Sequence, residues 1–269
     1  MTMREELALA LDPALMFERA VGAPPDPWQA AFLRSRSPRS LLLCSRQSGK
    51  STVVAAAALH ELLYRPGSLV LCLAPSWRQS GELFRKATAM YLALGQPVKA
   101  RSRSAAQMEL ENGSRLVSLP GEDGTVRSFS SVSLLLIDEA ARVPSSLYHA
   151  VRPMLAVSGG RLVALSTPWA TMGWFFEAWQ AGEGWERVKV TADQCPRITP
   201  AFLAEERRDL PLAVYEAEYL CEFRDPAGSV FSVADIQNAL SDEVEPFTFD
   251  DAAPLDDDEE EVAYARAWR

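Results

Sequence analysis

Four runs of consecutive apolar residues recur along the first two-thirds of the chain: Ser40–Cys44, Ser68–Ala74, Ser133–Ile137 and Arg161–Ser166. Each is short and apolar throughout rather than alternating, which predicts strands buried on both faces of a parallel sheet. Helical patterns separate them. An Ala-rich stretch runs through Tyr64, where Pro66-Gly67 ends it. Residues 78–94 bring Leu83, Phe84, Ala87, Met90, Tyr91 and Leu94 to one side of a helix. Residues 144–155 predict a helix entered through proline, Gly173–Gln180 another, and 200–222 one or two more; Trp185–Thr191 reads as a strand. Asn112-Gly113, between Gln107–Leu110 and Arg115–Leu119, is a hairpin signal. At the front, residues 1–26 predict a short helix and a Pro-rich bend, with a second short helix over 27–36.

Strands alternating with helices up to about residue 191 predict an α/β fold. It has three layers, with a mostly parallel central sheet and a small C-terminal helical lid region. The expected divisions are an N-terminal helix and bend (1–26), the core (27–191), a helical lid and linker (192–232), and an acidic, disordered tail (233–269).

Composition narrows the partners. No apolar run approaches the ~18 residues that a membrane span needs, and the start has no basic-then-apolar leader pattern. The expectation is a cytoplasmic protein without membrane contact. Cys44, Cys72, Cys195 and Cys221 are widely spaced and form no zinc signature with His60 and His149, so they read as buried free thiols. The net charge of −9 is misleading, because residues 241–261 carry eleven acids and no Lys or Arg. Without that tail the body holds 27 basic and 25 acidic residues, so overall acidity does not exclude a nucleic-acid partner.

Candidate chemistry begins where the first strand ends. Cys44-Ser45-Arg46-Gln47-Ser48-Gly49-Lys50-Ser51-Thr52 follows a strand and opens a helix, as a phosphate-binding loop must, so that helix-start N–H groups point at bound phosphates. Gly49 lets the backbone approach closely, Lys50 brings an ammonium to the β- and γ-phosphates, and the Ser51 hydroxyl is a ligand for Mg²⁺. The pattern GxxxxGK[ST] is broken at its first position, where Cys44 stands for glycine. The acidic partner is Leu134-Leu135-Leu136-Ile137-Asp138-Glu139. Asp138 at the strand end would hold the metal's ligand shell, and Glu139 would act as general base toward the attacking water. One strand later comes Ser166-Thr167-Pro168, which taken alone is a strand followed by a proline turn.

These elements in this order resemble the ATPase domain of large terminase subunits, the DNA-packaging motors of tailed phages. The match rests on Arg46 inside the loop and on Pro27-Trp28-Gln29, similar to the family's adenine motif with Gln29 on the base. Ser166-Thr167-Pro168 is similar to its coupling motif. The stretches 166–175 and 215–223 look like the end of its ATPase domain, and 225–231 like its linker toward a nuclease; the resemblance covers roughly residues 24–232. It implies a P-loop NTPase using ATP and Mg²⁺, with Ser45, Arg46, Gln47, Ser48, Gly49, Lys50, Ser51 and Thr52 around the phosphates. Arg46 would join Glu139 in catalysis. Arg127 would be an arginine finger reaching a neighbouring subunit's ATP, with Arg101 and Arg103 as rivals; apart from the resemblance, Arg127 reads as a solvated surface residue.

The resemblance further implies double-stranded DNA, a portal and a small terminase subunit as partners, and a homo-oligomeric ring when active. Residues 241–261 lack the apolar strands that would converge carboxylates on a metal, so no DNA cleavage is expected; a separately encoded nuclease, a truncated gene and a shortened chain stay equally open. Arg78, Arg85, Lys86, Lys99, Arg101 and Arg103 form either a phosphate-contacting patch or a solvated face. Two other classes remain beside the packaging ATPase: a helicase-like nucleic-acid ATPase, and a remnant that binds nucleotide without turnover.

Overall fold

The computed structural model describes residues 2–120, 129–225 and the isolated position 239. The chain divides into two compact units, Met1–Pro226 and Ala227–Arg269. Apart from position 239, the acidic tail 233–269 lies outside the described residues.

Among the described residues, eight strands form one sheet in the order β3-β4-β5-β2-β6-β7-β1-β8. The strands are β1 Arg39–Cys44, β2 Leu69–Ala74, β3 Ala100–Arg103, β4 Gln107–Leu110, β5 Arg115–Pro120, β6 Leu134–Asp138, β7 Arg161–Ser166 and β8 Glu186–Val190. From β5 to β8 all neighbours are parallel. The β3–β4–β5 end is antiparallel, its second turn being the expected Asn112-Gly113 hairpin. β3 carries the sequence Ala-Arg-Ser-Arg and has no buried position. It therefore offers no apolar signal, and the sequence reading does not anticipate it.

The helices are α1 Met3–Leu11, α2 Pro13–Val21, α3 Pro27–Arg34, α4 Lys50–Tyr64, α5 Trp77–Ala93, α6 Ser145–Val151, α7 Trp174–Gln180, α8 Pro200–Asp209 and α9 Leu212–Leu220. Why the strands are apolar on every residue is visible in the two cores. Leu42, Val70, Cys72, Leu136 and Val163 pack with α2, α3, α4 and α5 on one face. Their strand neighbours Leu41, Leu43, Leu71, Leu135, Ile137 and Ala164 pack with α6 and α7 on the other. With side chains alternating between faces, a strand covered on both sides must be apolar throughout.

The front of the chain departs from the expected single helix. Asp12 ends α1, and its side chain accepts from the Ala14 N–H at 3.0 Å to cap α2. Pro13 at the first helical position fixes the break, and Arg34 pairs with the same Asp12 carboxylate at 2.7 Å. Met16 and Phe17 of α2 sit in the same core as α4. α8 and α9 gather around a smaller cluster of Ala192, Tyr215 and Tyr219. No helix among the described residues is long and apolar enough to cross a membrane.

Candidate active site

Parallel strands deliver several loops to one edge of a sheet, and three of them meet here. β7 lies between β1 and β6, with Leu43 opposite Ser166 and Asp138 opposite Leu165. The coupling candidates Ser166 and Thr167 therefore sit between the end of the phosphate loop's strand and the acidic pair. This is the crevice outside the strand C-termini where α/β folds take their ligands.

The loop is held at its start. The Ser45 N–H donates to the Val190 carbonyl at 2.9 Å, and the Arg46 N–H to the Glu218 carbonyl at 3.2 Å. Ser48 closes a turn by donating to the Ser45 carbonyl at 2.9 Å. Gln47 and Gly49 are left-handed, with φ of 57° and 89°. At Gly49 this conformation coincides with close packing: a Cβ would lie 2.6 Å from Gln29 Nε2. α4 starts directly after it, with Lys50 first and the half-buried Ser51 and Thr52 next. Cys44, the departure from the expected glycine, is fully buried and lacks the positive φ that would demand one. Burial pushes its thiol well above the usual range, so it behaves as a small apolar residue.

Lys50 Nζ lies 3.5 Å from Glu139 Oε1. Asp138 is almost wholly buried and accepts from the Glu139 N–H at 2.9 Å. Burial pushes its carboxyl up to about 6, against the pull of the Lys50 ammonium. The backbone of Glu139 is left-handed, with φ 50° and ψ 42°. Its second carboxylate oxygen, Oε2, accepts from Arg142 Nη1 at 2.6 Å, and the same Nη1 reaches Thr167 Oγ1 at 3.4 Å. The Arg142 guanidinium lies over the Trp169 ring at 4.4 Å. Ser166 Oγ is buried and has no hydrogen-bond partner among the described residues.

Gln29 is 3 % exposed, and its Oε1 accepts from the Asp26 N–H at 2.9 Å. Arg197 locks this corner: it holds the Asp26 carboxylate through two bonds of 2.9 and 2.7 Å and donates to the Ser48 carbonyl at 3.0 Å. The expected adenine motif is thus tied to the phosphate loop before any nucleotide enters. Arg46 turns its exposed side chain to α9, where Nε donates to Glu218 Oε2 at 2.6 Å.

The structure therefore brings together Gln29, the 45–52 loop, Asp138, Glu139, Ser166 and Thr167, and it directs Arg46 to α9. Arg127 lies outside the described residues. Of its rivals, Arg101 pairs with Glu109 at 2.9 Å and Arg103 ends the exposed edge strand β3. In the candidate basic patch Arg85 also has a partner, Glu82. Among the tryptophans, Trp174 is core, stacked on Tyr148 at 3.9 Å. Trp77 and Trp169 are about half exposed. Sequence reasoning missed Arg142, Arg197, Asp26 and Glu218. Arg142 carried a faint signal, one helical turn beyond Glu139. Asp26 stands before Pro27 as the helix-start residue of α3, which marks the cap but not its ion pair; Arg197 and Glu218 are brought in by tertiary packing and carry no local signal.

Comparison with known proteins agrees with this fold. A family model described as terminase large subunit, T4likevirus-type, N-terminal, matches residues 41–238. The large terminase subunit of Thermus virus P23-45 is 27% identical over 264 residues, covering 84% of this chain and 54% of its own length. The chain thus spans about half the length of that curated relative. The solved ATPase domain of the Thermus phage P74-26 large terminase superposes with a TM-score of 0.70 at 23% identity, over 79% of this chain and 99% of that one. The large terminase of the thermophilic bacteriophage D6E, solved in complex with ADP, has a TM-score of 0.60 at 13% identity, over 75% of this chain and 54% of that one.

Proposed function

This chain belongs to the T4likevirus-type family of terminase large subunit N-terminal domains, and we propose that it is an ATP-hydrolysing motor domain that drives double-stranded DNA into a procapsid. The observation that carries the reading is the meeting of Lys50 and Glu139, 3.5 Å apart and delivered from separate strands on either side of β7.

The residues fit a magnesium nucleotide. Asp138 is a buried carboxylate whose charge is opposed by desolvation, and a bound cation would relieve that opposition. Ser166 adds a buried hydroxyl without a hydrogen-bond partner among the described residues. Ser51 and Asp138 would hold the metal, which when bound neutralises charge on the β- and γ-phosphates. Of the 45–52 loop, Gln47, Ser48, Gly49, Lys50 and Ser51 would cradle the phosphates through backbone N–H groups at the start of α4, while the N–H groups of Ser45, Arg46 and Thr52 are bonded to the Val190, Glu218 and Gly49 carbonyls and would shape the loop around them. Gln29 would read the adenine edge. Once phosphate draws Lys50 away, Glu139 can accept the proton of a water attacking the γ-phosphate. Ser166 and Thr167, next to both loops, would sense loss of that phosphate. D6E terminase, a relative in fold, has been solved with both ADP and ATP-gamma-S, which supports the nucleotide assignment.

Arg46 and Arg127 would supply further positive charge to the transferred phosphoryl group, Arg46 in its own subunit and Arg127 from a neighbour in a homo-oligomeric ring. Such a ring would work with the portal and the small terminase subunit, in the host cytoplasm. The divisions 1–26, 27–191, 192–232 and 233–269 are kept as functional segments within this reading.

Steady-state ATP hydrolysis with Mg²⁺, measured across protein concentrations with and without double-stranded DNA, tests the proposal. The rate per subunit should rise with concentration, as shared sites require. A flat, near-zero rate beside clear ATP binding would identify a nucleotide-binding remnant instead. For the finger, mixing Arg127→Ala with Glu139→Ala protein should restore part of the activity at composite interfaces. No restoration at any mixing ratio removes Arg127 from the role.

A further inference from the structure

We propose that Arg142 is a positioning residue for the general base: it fixes the Glu139 carboxylate and ties it to the segment Thr167–Trp169. The inference rests on the ATPase reading above and adds a residue to it.

Both residues stand on one short turn. The Arg142 N–H donates to the Glu139 carbonyl at 2.8 Å, and the Val143 N–H to the Ala140 carbonyl at 3.2 Å. Core packing clamps this turn. Ala140 and Val143 are buried beside α6 and α7. Trp174, itself stacked on Tyr148, donates from its indole N–H to the Val143 carbonyl at 2.9 Å. The left-handed backbone of Glu139 is disfavoured for a residue with a Cβ and persists where its surroundings determine it. It aims the side chain back over the turn, toward Arg142. The pair is therefore built into the turn, unlike an ion pair between two mobile surface chains.

The guanidinium uses its edge and its plane for different purposes. One nitrogen meets Glu139 Oε2 at 2.6 Å and Thr167 Oγ1 at 3.4 Å. The plane rests on Trp169 at 4.4 Å. Thr167 and Trp169 flank Pro168 immediately after β7, so the carboxylate is referenced to the segment that would feel the γ-phosphate. Among the described residues Glu139 has two cationic neighbours, Lys50 on Oε1 and Arg142 on Oε2. Phosphate takes the first for itself. Arg142 then keeps the carboxylate from swinging, and a shift of Thr167–Trp169 moves the base with it. Hydrolysis is in this way conditional on the position of the coupling segment.

The test compares the full chain with Arg142→Ala, Arg142→Lys, Trp169→Ala, Glu139→Gln and the double variant Arg142→Ala/Glu139→Gln, with ATP hydrolysis and ATP-gamma-S binding measured on each. Arg142→Ala should lower kcat on the order of 10–100-fold, the scale of a misplaced catalytic group, with nucleotide affinity unchanged. Lysine, which restores the charge without the plane, should recover part of the loss. Trp169→Ala should show an intermediate one. In the Glu139→Gln background, Arg142→Ala should cost nothing further, because both act through one group. A wild-type kcat in Arg142→Ala beside an inactive Glu139→Gln overturns this inference and leaves the ATPase reading intact. Equal turnover by wild type and Glu139→Gln overturns both. If Arg142→Ala fails to fold, Arg142→Lys and Trp169→Ala decide: wild-type kcat in both, or loss of nucleotide affinity in step with kcat, reduces Arg142 to a structural residue.

Discussion

Lys50→Ala should abolish nucleotide-dependent hydrolysis and weaken nucleotide binding. The Lys50 side chain is only 12% exposed, and the residue sits at the first position of α4, directly after the one loop residue that must be glycine. In this structure no other side chain of the 45–52 loop brings a positive charge to that place: Arg46, its other cationic residue, is paired with Glu218 on α9 and would have to leave it to reach the phosphoryl group. Losing one preorganised group that stabilises developing charge costs on the order of 10²–10³ in kcat. Here the loss should be larger, because the substrate's ground-state charge is left unmatched too. Phosphate release and nucleotide fluorescence measure the two parts separately. Unchanged turnover would sink the site assignment.

Glu139→Ala should separate those two parts. Binding should survive, and hydrolysis should fall by about 10²–10⁴, the usual contribution of a general base. Binding is expected to tighten if it changes at all, since removing the carboxylate leaves Lys50 and Arg142 with uncompensated charge facing an anionic ligand. The backbone there is left-handed, so alanine inherits the strain that glutamate already bears, and Glu139→Gln is the gentler control. If ATP binding is lost along with turnover in both variants, Glu139 supports the site's structure or its metal and is not the base.

How much of this was legible beforehand depended on how local each signal was. The phosphate loop and the Asp138–Glu139 strand end could be read because their meaning lies within a few consecutive residues bounded by an apolar run. The strands were legible for the same reason, and the 107–119 hairpin through Asn112-Gly113. β3 was not, because an exposed edge strand of polar residues has no burial pattern to betray it. The break between α1 and α2 was in principle readable: Asp12-Pro13 is a helix-start signature standing inside what reads as one helix. Within the site, the misses other than Arg142, which pairs three residues away with Glu139, share one cause. Arg197 reaches Asp26 and Ser48 from far along the chain, and Glu218 reaches Arg46 from α9. Such pairs exist only once the sheet has ordered its strands. The same holds for the partner of Arg46, which sequence reasoning aimed at the phosphates and the structure aims at a carboxylate.

The four cysteines have a practical consequence. All are buried free thiols. Desolvation raises the pKa of each, that of Cys221 to about 12, so none presents a thiolate to a reagent near neutral pH. For maleimide chemistry the described part of the native chain is therefore close to a blank background. A single cysteine placed on an exposed position would carry a fluorophore or spin label without first stripping the protein of its own. Distances between loop, lid and neighbouring subunits could then be followed during turnover in an otherwise unaltered molecule.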